Sequence, residues 1–156
     1  MKRFIKIRSL MLTIALLLGC IPVTAHDRPF ALNGTGVGQI TTNAAGLPAS
    51  ATVTGSGTAT HLGLWTTTGT VNYGDPGEDG LLPSSGEASI IAANGDRLNV
   101  VVQGKLNLGT LIDSGTFTFV GGTGRFAAAS GSADFVVTLN PITGGFELTI
   151  VGRINY

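Results

Sequence analysis

The sequence has little of what most active sites require. Its 156 residues include one cysteine, Cys20, and two histidines, His26 and His61. One cysteine excludes a disulfide within the chain, and so few imidazoles and thiols do not make a typical zinc site. We therefore expect neither a metal nor another cofactor. No acid, base and nucleophile set stands out either, so the composition favours a protein that is not an enzyme.

Charged residues are also scarce, at 12% of the chain. Four of the nine basic residues lie within the first eight positions. The chain after residue 25 keeps five basic residues against nine acidic ones, a net charge of −4. A mildly acidic domain with scattered cations lacks the basic surface that attracts nucleic acid or anionic lipid, so we expect neither as a partner.

The first 25 residues have the pattern of a signal peptide. Basic residues precede an apolar run at 10–18 that is too short to cross a bilayer as a helix, and Val23-Thr24-Ala25 offers a cleavage site. We expect an exported chain, periplasmic or secreted, with one domain at residues 26–156. The run Leu17-Leu18-Gly19-Cys20 gives an alternative, because it resembles a lipoprotein box in which a lipidated Cys20 anchors the protein to a membrane.

The remainder predicts β-strands. Thr, Val, Ile, Phe and Gly dominate, and apolar and polar residues alternate with a period of two. Turn sequences such as Asn94-Gly95-Asp96 separate the alternating segments, and the longest loop is the acidic stretch 74–85. The predicted strands are 30–41, 51–60, 64–73, 86–93, 97–106, 112–120, 131–139 and 145–155.

Eight antiparallel strands with short loops must protect their edges, and closure into a barrel removes the edges altogether. The sequence therefore predicts an all-β fold, an eight-stranded antiparallel β-barrel, with a two-sheet sandwich as the alternative. Glycines inside the strands favour the barrel, because they ease sharp coiling. Phe117, Phe119 and Phe135 alternate as core residues would, with threonines on the opposite face.

A glycine-rich loop follows the sixth predicted strand. Its glycines permit positive φ, while a long cation and an aromatic ring could close the end of a sheet. Its key residues are Gly121, Gly122, Gly124, Arg125 and Phe126. No helix or lysine follows the loop, so we expect Arg125 to brace it through backbone carbonyls rather than to bind an anion.

This loop, with the residues up to Gly131, resembles the Gly-Gly-Thr-Gly-aromatic-Ala-Gly pattern of the allene oxide cyclase and dirigent superfamily of β-barrels. The segment 57–63 is similar to one in uncharacterised exported bacterial members of that group. The resemblance implies the same calycin-like, eight-stranded barrel fold. It leaves the activity open, because plant members include an isomerase-like cyclase and proteins that steer radical coupling without catalysing oxidation. No catalytic side chain of those proteins can be matched to a position here.

Three residues are candidates for ligand contact. His61 lies between two predicted strands, as a turn residue or as a general base at a barrel mouth. Trp65 is the only tryptophan, and it is either a core residue or a flat wall for an apolar ligand. Glu87 either pairs with Arg97 across the Asn94-Gly95-Asp96 hairpin or points into the barrel as a candidate acid.

These observations favour a non-catalytic binding module for a small apolar ligand or a surface partner. An isomerase or cyclase acting on a lipid-derived or phenolic substrate is a second hypothesis, which depends on the family resemblance. A homo-oligomeric structural or matrix protein, associating through faces rich in threonine and valine, is a third.

Overall fold

The structure, a computed structural model, describes residues 27–156. The predicted signal peptide and the predicted lipidation site Cys20 lie outside these residues, as does His26. Export and membrane anchoring therefore stay predictions. Within the described range, no helix is both long enough and apolar enough to span a membrane.

Eight strands account for most of the described chain. They are β1 (Arg28–Thr42), β2 (Pro48–Ala59), β3 (Gly63–Tyr73), β4 (Leu82–Ala92), β5 (Arg97–Asn107), β6 (Ile112–Gly122), β7 (Ser130–Asn140) and β8 (Gly145–Asn155). Each strand pairs antiparallel with its neighbours in sequence, and β8 pairs with β1 to close the sheet. The predicted eight-stranded antiparallel barrel is confirmed, and its closure leaves no strand edge unpaired.

Alternation of side chains along each strand builds the core. On β6, Phe117 and Phe119 are buried while Thr118 is exposed. Phe117 packs against Phe135 of β7, with ring centroids 4.9 Å apart. A period of two therefore places one apolar set inside the barrel and leaves most strand threonines, though not the buried Thr67, on the outer face.

Strand β4 begins four residues earlier than the sequence predicts. Leu82 is fully buried and pairs with Leu106 of β5, so the connection from β3 shortens to residues 74–81. Pro83 fits because it is the second residue of the strand, and its carbonyl accepts a hydrogen bond from the Gly74 N–H at 2.9 Å. The remaining loop is tied to β5 by an ion pair between Asp79 and Lys105 at 2.6 Å.

The two ends of the barrel differ. Because strand direction alternates, the start of β1, the β2–β3 and β4–β5 turns, the β6–β7 loop and the end of β8 share one end. A short 3-10 helix, Gly124–Phe126, places the Phe126 ring there, fully buried and 5.0 Å from the Tyr156 ring. We call this the plugged end. The opposite end carries the other four loops, and we call it the open end.

The glycine-rich loop at the plugged end is held by a carboxylate. Gly124 has φ +57° and lies so close to Asp96 that a Cβ would overlap its carboxylate. Asp96 Oδ2 lies 3.4 Å from both the backbone N and the side-chain Nε of Arg125. The expectation that Arg125 braces the loop through backbone carbonyls is wrong, because Asp96 on the neighbouring turn supplies the charged acceptor instead.

Candidate functional site

The barrel encloses a narrow interior cavity of about 80 Å³. Its wall is mainly aliphatic and aromatic, with few polar side chains. The lining residues are Leu32, Val53, Trp65, Thr67, Val71, Tyr73, Glu87, Ala88, Ile90, Val102, Asp113, Phe117, Phe135, Val137, Leu139, Phe146 and Leu148. A cavity of this size holds a few water-sized groups and grows only if side chains move.

A second hollow of about 190 Å³ lies at the open end. It shares Val53, Tyr73, Leu139 and Phe146 with the interior cavity, so the two hollows are neighbours along the barrel axis, with these side chains between them. Its outer rim is apolar and is formed by Ile40, Pro48, Leu108, Leu111 and Pro141. The open end therefore has a hollow beside the interior cavity, whereas the buried Phe126 ring fills the other end.

Asp113 is the buried carboxylate of this interior. It begins β6 on the inward face, is only 5% exposed, and its Oδ1 accepts a hydrogen bond from the Ser84 hydroxyl at 2.8 Å. Burial raises the pKa of Asp113 above its ordinary value, and the bond from Ser84 only partly opposes that rise. The group is therefore a strong acceptor when ionised and a donor when protonated.

Tyr73 lies beside it at the inner edge of the open end. Burial, and then the nearby charge of Asp113, raise the pKa of Tyr73 to about 12. The phenol consequently stays protonated at neutral pH. Tyr73, Ser84 and Asp113 lie together and form one polar cluster at the open end of the interior cavity, whose other lining side chains are mainly apolar.

The burial of Asp113 has a consequence for stability against pH. Because its folded-state pKa lies above the ordinary 3.8, the folded protein binds this proton more tightly than the unfolded chain. The stabilisation of the folded protein by this proton is fully present below the unfolded-state pKa, the ordinary 3.8, and it is lost as the pH rises through the folded-state pKa. We expect Asp113→Asn, whose amide oxygen still accepts from Ser84, to raise the free energy of unfolding at neutral pH by about 1 kcal/mol.

Urea unfolding from about pH 4 to about pH 7 measures this effect. The wild type should lose stability relative to Asp113→Asn as the pH rises. Asp134→Asn, on the exposed face of β7, is the matched control for removing one carboxylate. A stability difference between wild type and Asp113→Asn that does not change with pH would contradict the burial of this group.

Trp65 lies deeper in the same cavity. It is 2% exposed, and the ring lies against Gly34 of β1, where a Cβ would overlap it. No acceptor among the described residues bonds its indole Nε1–H. Trp65 is thus both a core residue and a wall of the cavity, with one unused donor.

His61 lies at the plugged end, away from the open end. It has φ +66°, and its Nε2 is 2.9 Å from the Pro29 carbonyl oxygen. Its ring also meets Tyr156 edge to face, with centroids 5.6 Å apart. This geometry is that of a turn residue that ties the β2–β3 turn to β1.

We expect His61→Ala to lower the free energy of unfolding by about 1 kcal/mol, the value of one hydrogen bond, and to leave ligand binding unchanged. Thermal unfolding and a ligand titration of the same variant measure both effects. A loss of binding in a folded His61→Ala protein would overturn the structural role.

Glu87 contributes to the wall of the interior cavity, but it is exposed and lies in the outward phase of β4, so its carboxylate does not point into the barrel. In the register Glu87 is opposite Val101, while Arg97 is opposite Ile91. Four strand positions, about 13 Å, therefore separate the two charged residues. Among residues 27–156 neither one forms an ion pair, so both alternatives for Glu87, the contact with Arg97 and the inward-pointing acid, are wrong.

Sequence reasoning missed Tyr73, Ser84 and Asp113. The alternation on β6 does indicate that Asp113 points inward, because Asp113 is an even number of residues from Phe117 and Phe119 and so lies on the same face of the strand. Ser84 lies inside the predicted loop 74–85, so the sequence assigns it to neither face of a strand.

In the described part of the chain no group of three or more metal-ligating side chains comes together.

Comparisons with known proteins show that the fold is similar to a known one. No protein-family model matches the sequence, and no curated protein matches it significantly. Among solved structures, the barrel is similar to a pterocarpan synthase dirigent protein, with a TM-score of 0.56 and 15% sequence identity. The match covers 85% of this chain and 93% of the dirigent protein. The chain therefore has a dirigent-like barrel fold.

Proposed function

We propose that this barrel binds a small, largely apolar ligand that enters at the open end and places one polar group against Asp113. The buried Asp113 carboxylate beside an apolar passage is the observation that carries the proposal. Apolar walls supply affinity through burial, and one acceptor fixes the orientation of the ligand.

Size and polarity narrow the ligand class. Hollows of about 80 Å³ and 190 Å³ lie below the range of about 300 to 1,000 Å³ that drug-sized ligands occupy. A single ring with short substituents suits that space. A hydroxyl that donates to Asp113 suits the carboxylate. A simple phenol meets these requirements, and the likeness to a dirigent protein supports a phenolic class.

Trp65 provides the test, since it is the only tryptophan and lines the cavity. We expect 4-ethylphenol to change its fluorescence saturably and to bind about fivefold or more tightly than ethylbenzene, because only the phenol donates to Asp113. Asp113→Leu should remove this preference while ethylbenzene still binds. Glu87→Leu removes a carboxylate from the outer face and should leave the preference intact.

Failure of both compounds to bind a folded protein would contradict the proposal. Equal binding of the two compounds by the wild type would show that the site binds apolar ligands without any contribution from Asp113.

Sedimentation of the same protein at high concentration tests the predicted homo-oligomer, and a monomer there would count against a structural assembly.

An isomerase or cyclase is the second candidate, favoured by the raised pKa values of Asp113 and Tyr73 in one cavity. Such a reaction would move a proton between Asp113 and a carbon of the ligand. Native mass spectrometry of protein from its own host identifies any bound ligand. Incubation of that ligand in deuterated water should then give carbon-bound deuterium with the wild type and none with Asp113→Asn. Absence of exchange with both proteins would favour pure binding.

A further inference from the structure

A polar groove runs along the outside of the barrel across β3, β4 and β5. It measures about 980 Å³ and lies on the outer face of the sheet, and it has Glu87, Ala88 and Val102 in common with the lining of the interior cavity because these strands form the wall between the two. Its floor includes Gly69, Gly86 and Ala88, the small residues on the inward phase of β3 and β4. The adjacent backbones meet closely here, because a Cβ on Gly86 would lie 2.0 Å from the Thr70 oxygen. Because these inward side chains are small, the sheet can bend toward the barrel interior here, and its outer surface forms a depression.

Hydrogen-bonding side chains surround this floor. Asn99 on β5 accepts a bond from the Ser89 hydroxyl at 3.0 Å, which holds its amide and leaves the NH₂ available to a ligand. Asn72 and Gln103 add two exposed amides on the flanking strands. Amides offer donors and acceptors side by side, which matches the vicinal hydroxyls of a sugar.

The charges in and around the groove are few and balanced. Glu87 and Arg97 both line it, are exposed, and form no ion pair within residues 27–156. The neighbouring strands β2 and β3 contain no charged residue at all. Their outward threonines stand opposite one another in register, as in the Thr54–Thr68 pair. A surface with so little charge offers little electrostatic attraction to a charged partner, and it therefore favours a neutral one.

We propose that this groove binds a neutral oligosaccharide. A polyhydroxylated ligand needs many donors and acceptors at once, and the groove presents amides, hydroxyls and one charge of each sign. A nucleic acid would need an excess of cations, which the groove lacks. The interface core of a second copy would need a more apolar surface, whereas here the apolar side chains are mainly those of Val101 and Val120.

Nuclear magnetic resonance titration of the full chain with cellotetraose, maltotetraose and chitotetraose tests the proposal. We expect at least one of the three to shift backbone amides of β3, β4 and β5 saturably, and to leave the Trp65 indole signal unchanged. Asn99→Ala and Gln103→Ala should each weaken binding about fivefold. Thr138→Ala, on the outer face of β7, is the matched control and should bind as the wild type does.

The outcomes separate this site from the interior one. Absence of shifts with all three sugars would overturn the groove proposal and leave phenol binding untouched. Shifts in the groove amides that follow protein concentration instead of sugar would identify a second copy as the occupant and would also overturn it. Binding that survives unchanged in both amide variants would place the sugar elsewhere, with the same consequence.

Discussion

Gly36→Ala is expected to lower the free energy of unfolding by about 3 kcal/mol or more. Gly36 lies on the inward phase of β1, where a Cβ would be 2.3 Å from both the Thr54 backbone oxygen and the Phe146 ring. The ring could move, but the carbonyl is fixed by the β1–β2 pairing. Urea unfolding followed by circular dichroism measures the loss.

Gly38→Ala is the matched control, two residues further along the same inward phase. A Cβ there would meet only Val53, at 3.8 Å, which is an ordinary contact. We expect its stability to equal or slightly exceed that of the wild type, because alanine loses less backbone entropy on folding. Equal stability of the Gly36→Ala and Gly38→Ala proteins would contradict the close approach of β1 and β2.

Phe126→Ala is expected to cost about 3 to 5 kcal/mol, the usual range for a buried aromatic ring. The ring is fully buried and packs against Tyr156, so its removal leaves a cavity at the plugged end. Phe126→Leu should recover part of the loss because it refills some of the volume. Thermal and urea unfolding report both changes.

Ile142→Ala removes an apolar side chain of the open end instead. Ile142 is 94% exposed in the β7–β8 loop, so we expect the free energy of unfolding of the Ile142→Ala protein to stay within about 0.5 kcal/mol of the wild-type value. If Phe126→Ala were as mild as Ile142→Ala, Phe126 would not be the plug of the barrel.

Periodicity is why the fold could be predicted from the sequence. A half-buried strand alternates every second residue, and turns such as Asn94-Gly95-Asp96 mark where the chain reverses. Seven strands begin within three residues of their predicted starts. Strand β4 is the exception, because Pro83 and the serines beside it have the composition of a loop. Only the pairing of Leu82 with Leu106 shows that the ladder extends this far.

The candidate site was less accessible to sequence reasoning. On β4, Ile90 and Ile91 are both apolar, so the local phase did not decide which way Glu87 points. The aromatic phase of β6 did specify that Asp113 points inward. A lone aspartate in a Thr-rich segment carries no motif, so neither its burial nor its contact with Ser84 stands out without the fold.

The open end and the outer groove depend on register and coiling, which local sequence does not encode. The sequence predicts that Trp65 is a core residue or a cavity wall, and in the structure it is both. The sequence also predicts that His61 is a turn residue or a base, and its bond to the Pro29 carbonyl fits the turn residue.

A crystal structure of the protein grown with 4-ethylphenol tests the central claim most directly. We expect the ring inside the barrel between Val102 and Val137, with its hydroxyl within hydrogen-bonding distance of Asp113. A ring bound only on the outer surface, with the interior packed as it is now, would contradict a binding role for the barrel interior.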